Sequence, residues 1–309
     1  MSKNSMFSLS GKRIPRHHLT QRFSLRRIRA LALQAHRQAV IGHQKETVEH
    51  MASTDDSLGS QLRLEAFPRS SHYDLKWMLE TEMGPNVVWL TEALSQHLDL
   101  QSDMRVLDMG CGKAASSIFL AKEFGASIWA TDLWIAAEEN WQRVCDAGLD
   151  QQICPIHAEA HQLPFAQGFF DVLISIDAYH YFGTDDLYIG YFAQFVKPGG
   201  VIAIMVPGLA HEFTEGIPEH LKPYWEWDFC SFHSAAWWDH HWQKSDQVEV
   251  IQAEFLPEGW KHWLQWQQIL VEQGLRGNSE EYSSEAKMLQ IDAGRNLGFV
   301  QLIARRENV

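Results

Sequence analysis

The sequence predicts an α/β fold on a doubly wound, mostly parallel sheet, and two observations carry that prediction. Short apolar strands near 104–108, 127–131, 152–156, 170–176 and 200–206 alternate with helical patterns near 114–124, 135–147 and 184–195, the βαβ rhythm of a parallel sheet. The first strand runs into Val106-Leu107-Asp108-Met109-Gly110-Cys111-Gly112, an acid at a strand tip followed by two glycines spaced for a tight turn. Glycine permits positive φ and lets a ligand approach the backbone closely. The helix that follows would aim its positive N-terminal end at the same spot.

The elements can be justified in chain order. Residues 1–45 carry ten Lys/Arg and no acid, and 52–60 read as a linker, so 1–60 is expected to be a basic arm ahead of one domain at 61–309. Arg16, Arg22, Arg26, Arg27, Arg29 and Arg37 give the arm the look of an organelle transit segment, but it lacks a long apolar core. A flexible or helical arm ranks first, a transit segment second and a non-functional upstream extension third. A short helix is expected over 73–82. After Gly84-Pro85, the spacing of Val87, Leu90, Leu94 and Leu98 predicts a helix with proline in its first turn and one stripe on the sheet. Leu187, Tyr188, Tyr191, Phe192 and Phe195 give a later helix its buried face.

Two stretches interrupt the alternation. Residues 208–247 hold Trp225, Trp227, Trp237, Trp238 and Trp242 with five histidines, and 257–290 add Trp260, Trp263 and Trp266. Ser234 is placed to cap a helix from Ala235 that carries Trp238 and Trp242 on one face. Either the aromatics fill a cap over the sheet, or they form a wall for an apolar, aromatic or cationic acceptor.

Composition bounds the function. The chain has 309 residues, 45% of them hydrophobic, enough to bury a large core. Outside residues 1–45 there are 16 basic against 39 acidic residues, a formal charge of −23. Such a body lacks the basic face that nucleic acid needs. No apolar run reaches the roughly 18 residues of a membrane span, so a soluble protein is expected. Cys111, Cys145, Cys154 and Cys230 form no C-x-x-C pair, which suits reduced thiols in the cytoplasm. His157-x-x-x-His161 and His240-His241 lack a third ligand at a metal spacing, so no metal site is assigned.

The glycine loop also fits the permissive dinucleotide fingerprint, with Asp132 downstream. Asp108 argues against it. A carboxylate at the strand tip repels a pyrophosphate but suits the ammonium of an amino-acid-bearing cofactor such as S-adenosylmethionine. Asp132, ending the run 126–131, sits where a second strand closes and can accept from both ribose hydroxyls.

Around this loop the chain resembles the class I S-adenosylmethionine-dependent methyltransferases, in their small-molecule branch. Besides the glycine loop, the resemblance rests on four blocks in family order: Ala158-Glu159-Ala160-His161-Gln162-Leu163-Pro164-Phe165; Phe169-Phe170-Asp171-Val172-Leu173-Ile174-Ser175; Asp177-Ala178-Tyr179-His180-Tyr181; and Val196-Lys197-Pro198-Gly199-Gly200. It covers about 72–207 and continues more loosely to the end. It implies a Rossmann-like seven-stranded sheet in which strands 248–255 and 297–304 form an antiparallel pair at one edge. It further implies S-adenosyl-L-methionine held by Asp108, Gly110, Gly112, Asp132 and Leu133. Glu159 and Ala160 would meet the adenine, glutamate replacing the family's usual aspartate.

The chemistry follows from that cofactor. A methyl sulfonium is a strong electrophile, so the protein must hold an acceptor in line at about 3–3.5 Å and exclude water. Asp177, Tyr179 and His180 follow the fourth strand, whose C-terminal end borders the crevice. His180 is the expected base, titrating near 6.5, and Tyr179 the acceptor-positioning group. Tyr73, Trp77 and Trp238 are further acceptor contacts. The expected partner is a small-molecule acceptor, and a homodimer stays open as an assembly. The alternatives are C-methylation of a prenylated quinone or similar lipid, and a catalytically silent cofactor-binding module.

Overall fold

The computed structural model describes residues 62–275 and 280–307. The expected arm and linker at 1–60 lie outside the described residues. Among the described residues there are eight strands: β1 (Arg105–Met109), β2 (Ser127–Asp132), β3 (Ile153–His157), β4 (Phe170–Ile176), β5 (Val196–Leu209), β6 (His233–Ser234), β7 (Val248–Leu256) and β8 (Leu297–Arg306). They order as β3-β2-β1-β4-β5-β8-β7, with the two-residue β6 pairing beside the end of β5. Neighbours from β3 through β5 are parallel, while β8 runs antiparallel to both β5 and β7. This is the α/β, Rossmann-like sheet expected, with its antiparallel edge pair and a minimal additional strand.

The helices are α1 (Leu75–Thr81), α2 (Val87–Ser95), α3 (Ala115–Phe124), α4 (Ala137–Asp146), α5 (Tyr188–Ala193), α6 (Ala235–Gln243), α7 (Gly259–Glu272) and α8 (Glu280–Asp292). The last three lie in the segments that interrupt the alternation. Ser234 caps α6 by accepting from the Trp237 N–H, and Trp238 and Trp242 lie on its buried face. At α2 the cap is Asn86, whose Oδ1 accepts from the Val88 and Trp89 N–H groups at 3.1 Å each. Pro85 therefore precedes the N-cap and is not in the first turn as expected. The amide can accept both orphan donors, which proline cannot.

Parallel register fixes where the site falls. Asp108 lies opposite Ala130 on β2 and Ile174 on β4, so the three strands end together. The Ser175 hydroxyl donates to the Met109 carbonyl at 2.7 Å, pinning β4 to the tip of β1. One face of the sheet closes over Phe170, Phe192, Trp238 and Trp242, all fully buried. On the other side the buried Glu92 carboxylate of α2 accepts from Arg69 N at 2.9 Å, Ser70 N at 2.7 Å and Ser70 Oγ at 2.5 Å. That fixes the segment leading into α1 and α2 beside the strand ends.

Because Asn86 satisfies two first-turn donors, Asn86→Ala should lower stability by about 1 kcal/mol, the usual worth of an N-cap. Denaturant unfolding of both proteins checks it, and equal midpoints would show that water replaces the cap without loss.

Candidate active site

The site begins at the β1–α3 loop. Gly110 and Gly112 have φ of +76° and +53°. Their need for glycine is steric as well: a Cβ on Gly110 would lie 2.3 Å from Ala178 Cβ, and one on Gly112 would lie 2.8 Å from Met83 Sδ. Ala114 also adopts a left-handed conformation, φ +62°, at the N-cap of α3. The loop is held by the end of β2: Gly110 N and Cys111 N donate to the Thr131 carbonyl at 2.8 and 3.1 Å.

Two carboxylates flank this loop. Asp108 is wholly buried, and its Oδ2 accepts from Ser116 Oγ at 2.5 Å and Ser117 Oγ at 2.6 Å. Its Oδ1 has no hydrogen-bond partner. Burial drives its pKa up to about 6 against the two serine bonds, which lower it. A buried acceptor without a donor is costly, so it marks a place where a ligand donor belongs. Asp132 Oδ1 accepts from Trp134 N at 2.6 Å and Ile135 N at 2.8 Å, while Oδ2 accepts from Gly112 N at 2.9 Å. Burial raises its pKa and the three backbone donors oppose the rise. A carboxylate offers about four lone-pair directions. With three in use, Asp132 can take one further hydroxyl, a correction to the pair expected from sequence.

A turn between α1 and α2 lies over the loop. Met83 stands against Gly112, the Lys113 ammonium donates to the Glu80 carbonyl at 2.9 Å, and Trp266 Nε1 of α7 donates to the Gly84 carbonyl at 3.0 Å. Lys113, Met83, Ser116 and Ser117 are site residues that sequence reasoning passed over. The serine pair had a signal: two hydroxyls in the first turn of the otherwise apolar helix Ala115–Phe124.

The other expected residues fall in three environments. Leu133 is exposed at the β2 tip, and its carbonyl lies 2.8 Å from His157 Nε2. Glu159 turns onto His161, accepting from its backbone N–H at 2.9 Å, with His161 Nδ1 2.7 Å from its other oxygen. Ala160 is buried, its carbonyl accepting from the Tyr188 hydroxyl at 3.2 Å. Tyr73 stacks between Trp77 and Phe119, and its hydroxyl donates to Glu123 Oε1 at 3.1 Å.

After β4 the chain bends sharply. Asp177 has φ +53°, with its N–H donating to the Met205 carbonyl at 2.7 Å. The 3-10 turn Tyr179–Tyr181 follows and sends successive side chains opposite ways. Tyr179 packs wholly buried among Phe192, Trp238 and Trp242. Tyr179 and Trp238 are therefore core partners of one another here, and an acceptor could reach them only if that packing opened. His180 is 2% exposed between Tyr181 and Phe232, ring centroids 4.0 and 5.6 Å away, and its Nδ1 has no hydrogen-bond partner. Burial lowers its pKa to about 3. That contradicts the titration near 6.5 expected from sequence: without a carboxylate partner, desolvation disfavours the imidazolium.

With this geometry in place, known proteins can be compared. Residues 106–200 match the protein-family model described as a methyltransferase domain. The chain is 27% identical over 155 residues to methyltransferase GfsG of Streptomyces halstedii, covering 49% of this chain and 53% of that protein. It is 28% identical over 118 residues to 27-O-demethylrifamycin SV methyltransferase of Amycolatopsis mediterranei, covering 37% and 43%. The match thus spans about half the length of the first relative and less of the second. Among solved structures, phosphoethanolamine N-methyltransferase 2 of Haemonchus contortus, in complex with S-adenosyl-L-methionine, superposes with a TM-score of 0.62 at 18% identity, covering 83% of this chain and 61% of that one. Residues 106–200 thus carry a methyltransferase-domain segment, on a sheet shared with solved methyltransferase structures.

The neutral His180 has a consequence for stability. The unfolded imidazole titrates near 6.5 and the folded one near 3, so below pH 6.5 the unfolded state gains a proton that the folded state refuses. Stability from this residue is complete above pH 6.5 and drains away towards pH 3, by up to about 1.4 kcal/mol per pH unit. His180→Phe should flatten the fall in unfolding free energy between pH 6.5 and 4. Identical slopes for parent and variant would show that the ring titrates normally.

Proposed function

We propose that the chain binds S-adenosyl-L-methionine across the ends of β1 and β2 and transfers its methyl group to a small-molecule acceptor by in-line displacement. The observation that carries the reading is the buried, partnerless Oδ1 of Asp108 beside Gly110 and Gly112. The residues fit the cofactor. Asp108 offers an anionic acceptor for its ammonium, Asp132 keeps one lone-pair direction for a ribose hydroxyl, and exposed Leu133 with Glu159 and Ala160 would border the adenine. When bound, the cofactor supplies an electrophilic methyl on a sulfonium.

The chain's own residues then orient, shield and position. The Met83–Gly84 turn excludes water from above the glycine loop, where low dielectric strengthens the Asp108 contact. Asp177 and His180 stand at the end of β4, on the acceptor side. A neutral His180 serves there as a hydrogen-bond acceptor that orients the incoming molecule, and it adds no pH inflection near 6.5. Tyr73 and Trp77 flank the entrance from the leading segment. Among the described residues no helix is long and apolar enough to cross a membrane. We assign the enzyme to the cytoplasm on its reduced cysteines, place the methyltransferase domain at 61–309, and leave the homodimer to be measured.

Isothermal titration tests the assignment. Asp108→Ala and Asp132→Ala should each weaken cofactor binding by about 1.5–3 kcal/mol. The pH dependence has a definite sign: an ammonium favours the ionised carboxylate, so affinity should rise through Asp108's pKa of about 6 and level off above it. At pH 5 binding should be about tenfold weaker than at pH 7, and Asp108→Asn should remove the dependence. Unchanged affinity in both alanine variants refutes the assignment.

A further inference from the structure

Buried carboxylates in this fold are satisfied in two different ways. Glu92, Asp132 and Asp292 each have donors on both oxygens. On Glu92 they are Arg69 N to Oε1 and Ser70 N and Oγ to Oε2. On Asp132 they are Trp134 N and Ile135 N to Oδ1 and Gly112 N to Oδ2. On Asp292 they are Asn296 Nδ2 at 2.6 Å to Oδ1, and Asn296 N and Leu297 N at 2.9 Å each to Oδ2. An acid kept for structure alone needs this, since an oxygen without a donor in a dry interior is costly. Asp108 departs from the pattern. Ser116 Oγ at 2.5 Å and Ser117 Oγ at 2.6 Å both donate to Oδ2, while Oδ1 has no donor.

The serines are spent on this acid and not on their own helix. α3 begins at Ala114 without a side-chain cap and has no acid in its first turn. Ser116 and Ser117, its second and third residues, are 1% and 0% exposed. Each hydroxyl has one proton to give, and both are given to the tip of β1. Asp108 thereby stands at the N-terminal end of α3, where the helix dipole favours an anion. Two donors on one oxygen also fix the plane of the carboxylate.

The surroundings set what these bonds must oppose. The register neighbours of Asp108, Ala130 on β2 and Ile174 on β4, are apolar. Asp132 at the tip of β2 adds a like charge, and the Cys111 thiol of the glycine loop, pushed well above its ordinary value by burial, stays neutral beside it. Burial first, then Asp132, work against the charged carboxylate, and the two hydroxyls work for it.

Resting on the cofactor reading above, we infer that Ser116 and Ser117 are positioning residues for cofactor recognition: by occupying Oδ2 together they keep the Asp108 carboxylate ionised and leave Oδ1 alone to receive the cofactor's ammonium. Their removal has a definite sign. Fewer donors to the charged form raise the pH at which the carboxylate ionises, so the pH of half-maximal affinity moves up.

The test titrates S-adenosylhomocysteine, which carries the same ammonium, into the full chain by calorimetry from pH 5 to 8. Parent affinity should level off above pH 7, a unit beyond the carboxylate's pKa of about 6. Ser116→Ala and Ser117→Ala should each move the midpoint up by about one pH unit and the double variant by about two. At pH 7 the double variant then binds roughly tenfold more weakly than the parent, and it is still gaining affinity at pH 8. Placed in the Asp108→Asn background, the same substitutions should change affinity by less than about twofold, because the hydroxyls act through the acid's charge. Each single variant keeps one donor on Oδ2, so the profile can be read even where the double variant does not fold. Equal weakening in the parent and the Asp108→Asn background would make the serines a packing feature of the loop. A parental pH profile in both single variants would remove them from recognition. Either result overturns the inference while the cofactor reading stands. A parent chain that binds neither S-adenosylhomocysteine nor S-adenosylmethionine would overturn that reading, and the inference with it.

Discussion

The carboxylate of Asp132 is the constraint on which the site depends. It draws in three backbone N–H groups from two loops, Gly112 from the β1–α3 loop and Trp134 and Ile135 from the β2–α4 loop. Those donors would otherwise be unsatisfied at the mouth of the sheet. Gathering them gives the glycine turn its left-handed shape and places Trp134 where Tyr181 can meet it. Charge-assisted bonds to backbone are among the stronger polar contacts a fold can make. One acid at a strand tip therefore shapes the glycine loop and positions half of the Trp134–Tyr181 pair.

The framework was legible because it obeys local rules. Buried strands announce themselves as apolar runs, and Gly110 and Gly112 as a tight turn that needs positive φ. Ser234 was legible as a cap because its hydroxyl acts three residues away. Long-range geometry was not. Sequence order puts Tyr179, His180 and Tyr181 in one cluster, but a 3-10 turn after a left-handed Asp177 sends the first into the core, buries the second and leaves the third half exposed. Nothing in a string of residues says which way such a turn faces.

Histidine 180 shows the same limit in electrostatic terms. A histidine beside a crevice reads as a base when its solvation is unknown. Its depressed pKa arises from Phe232 and Tyr181, the former 52 residues away in sequence and within an insertion. The tryptophans of 208–247 likewise divide by depth: Trp238 and Trp242 fill the core while Trp227 stands in solvent. The packing reading of that aromatic wealth holds for the two buried members and not for Trp227.

The bond from the Trp266 indole to the Gly84 carbonyl ties the second insertion to the glycine loop. The turn it holds sets Met83 against Gly112, so the cover of the glycine loop hangs from a helix of the insertion. Uncovering the glycine loop therefore requires either breaking that bond or carrying α7 along with the turn.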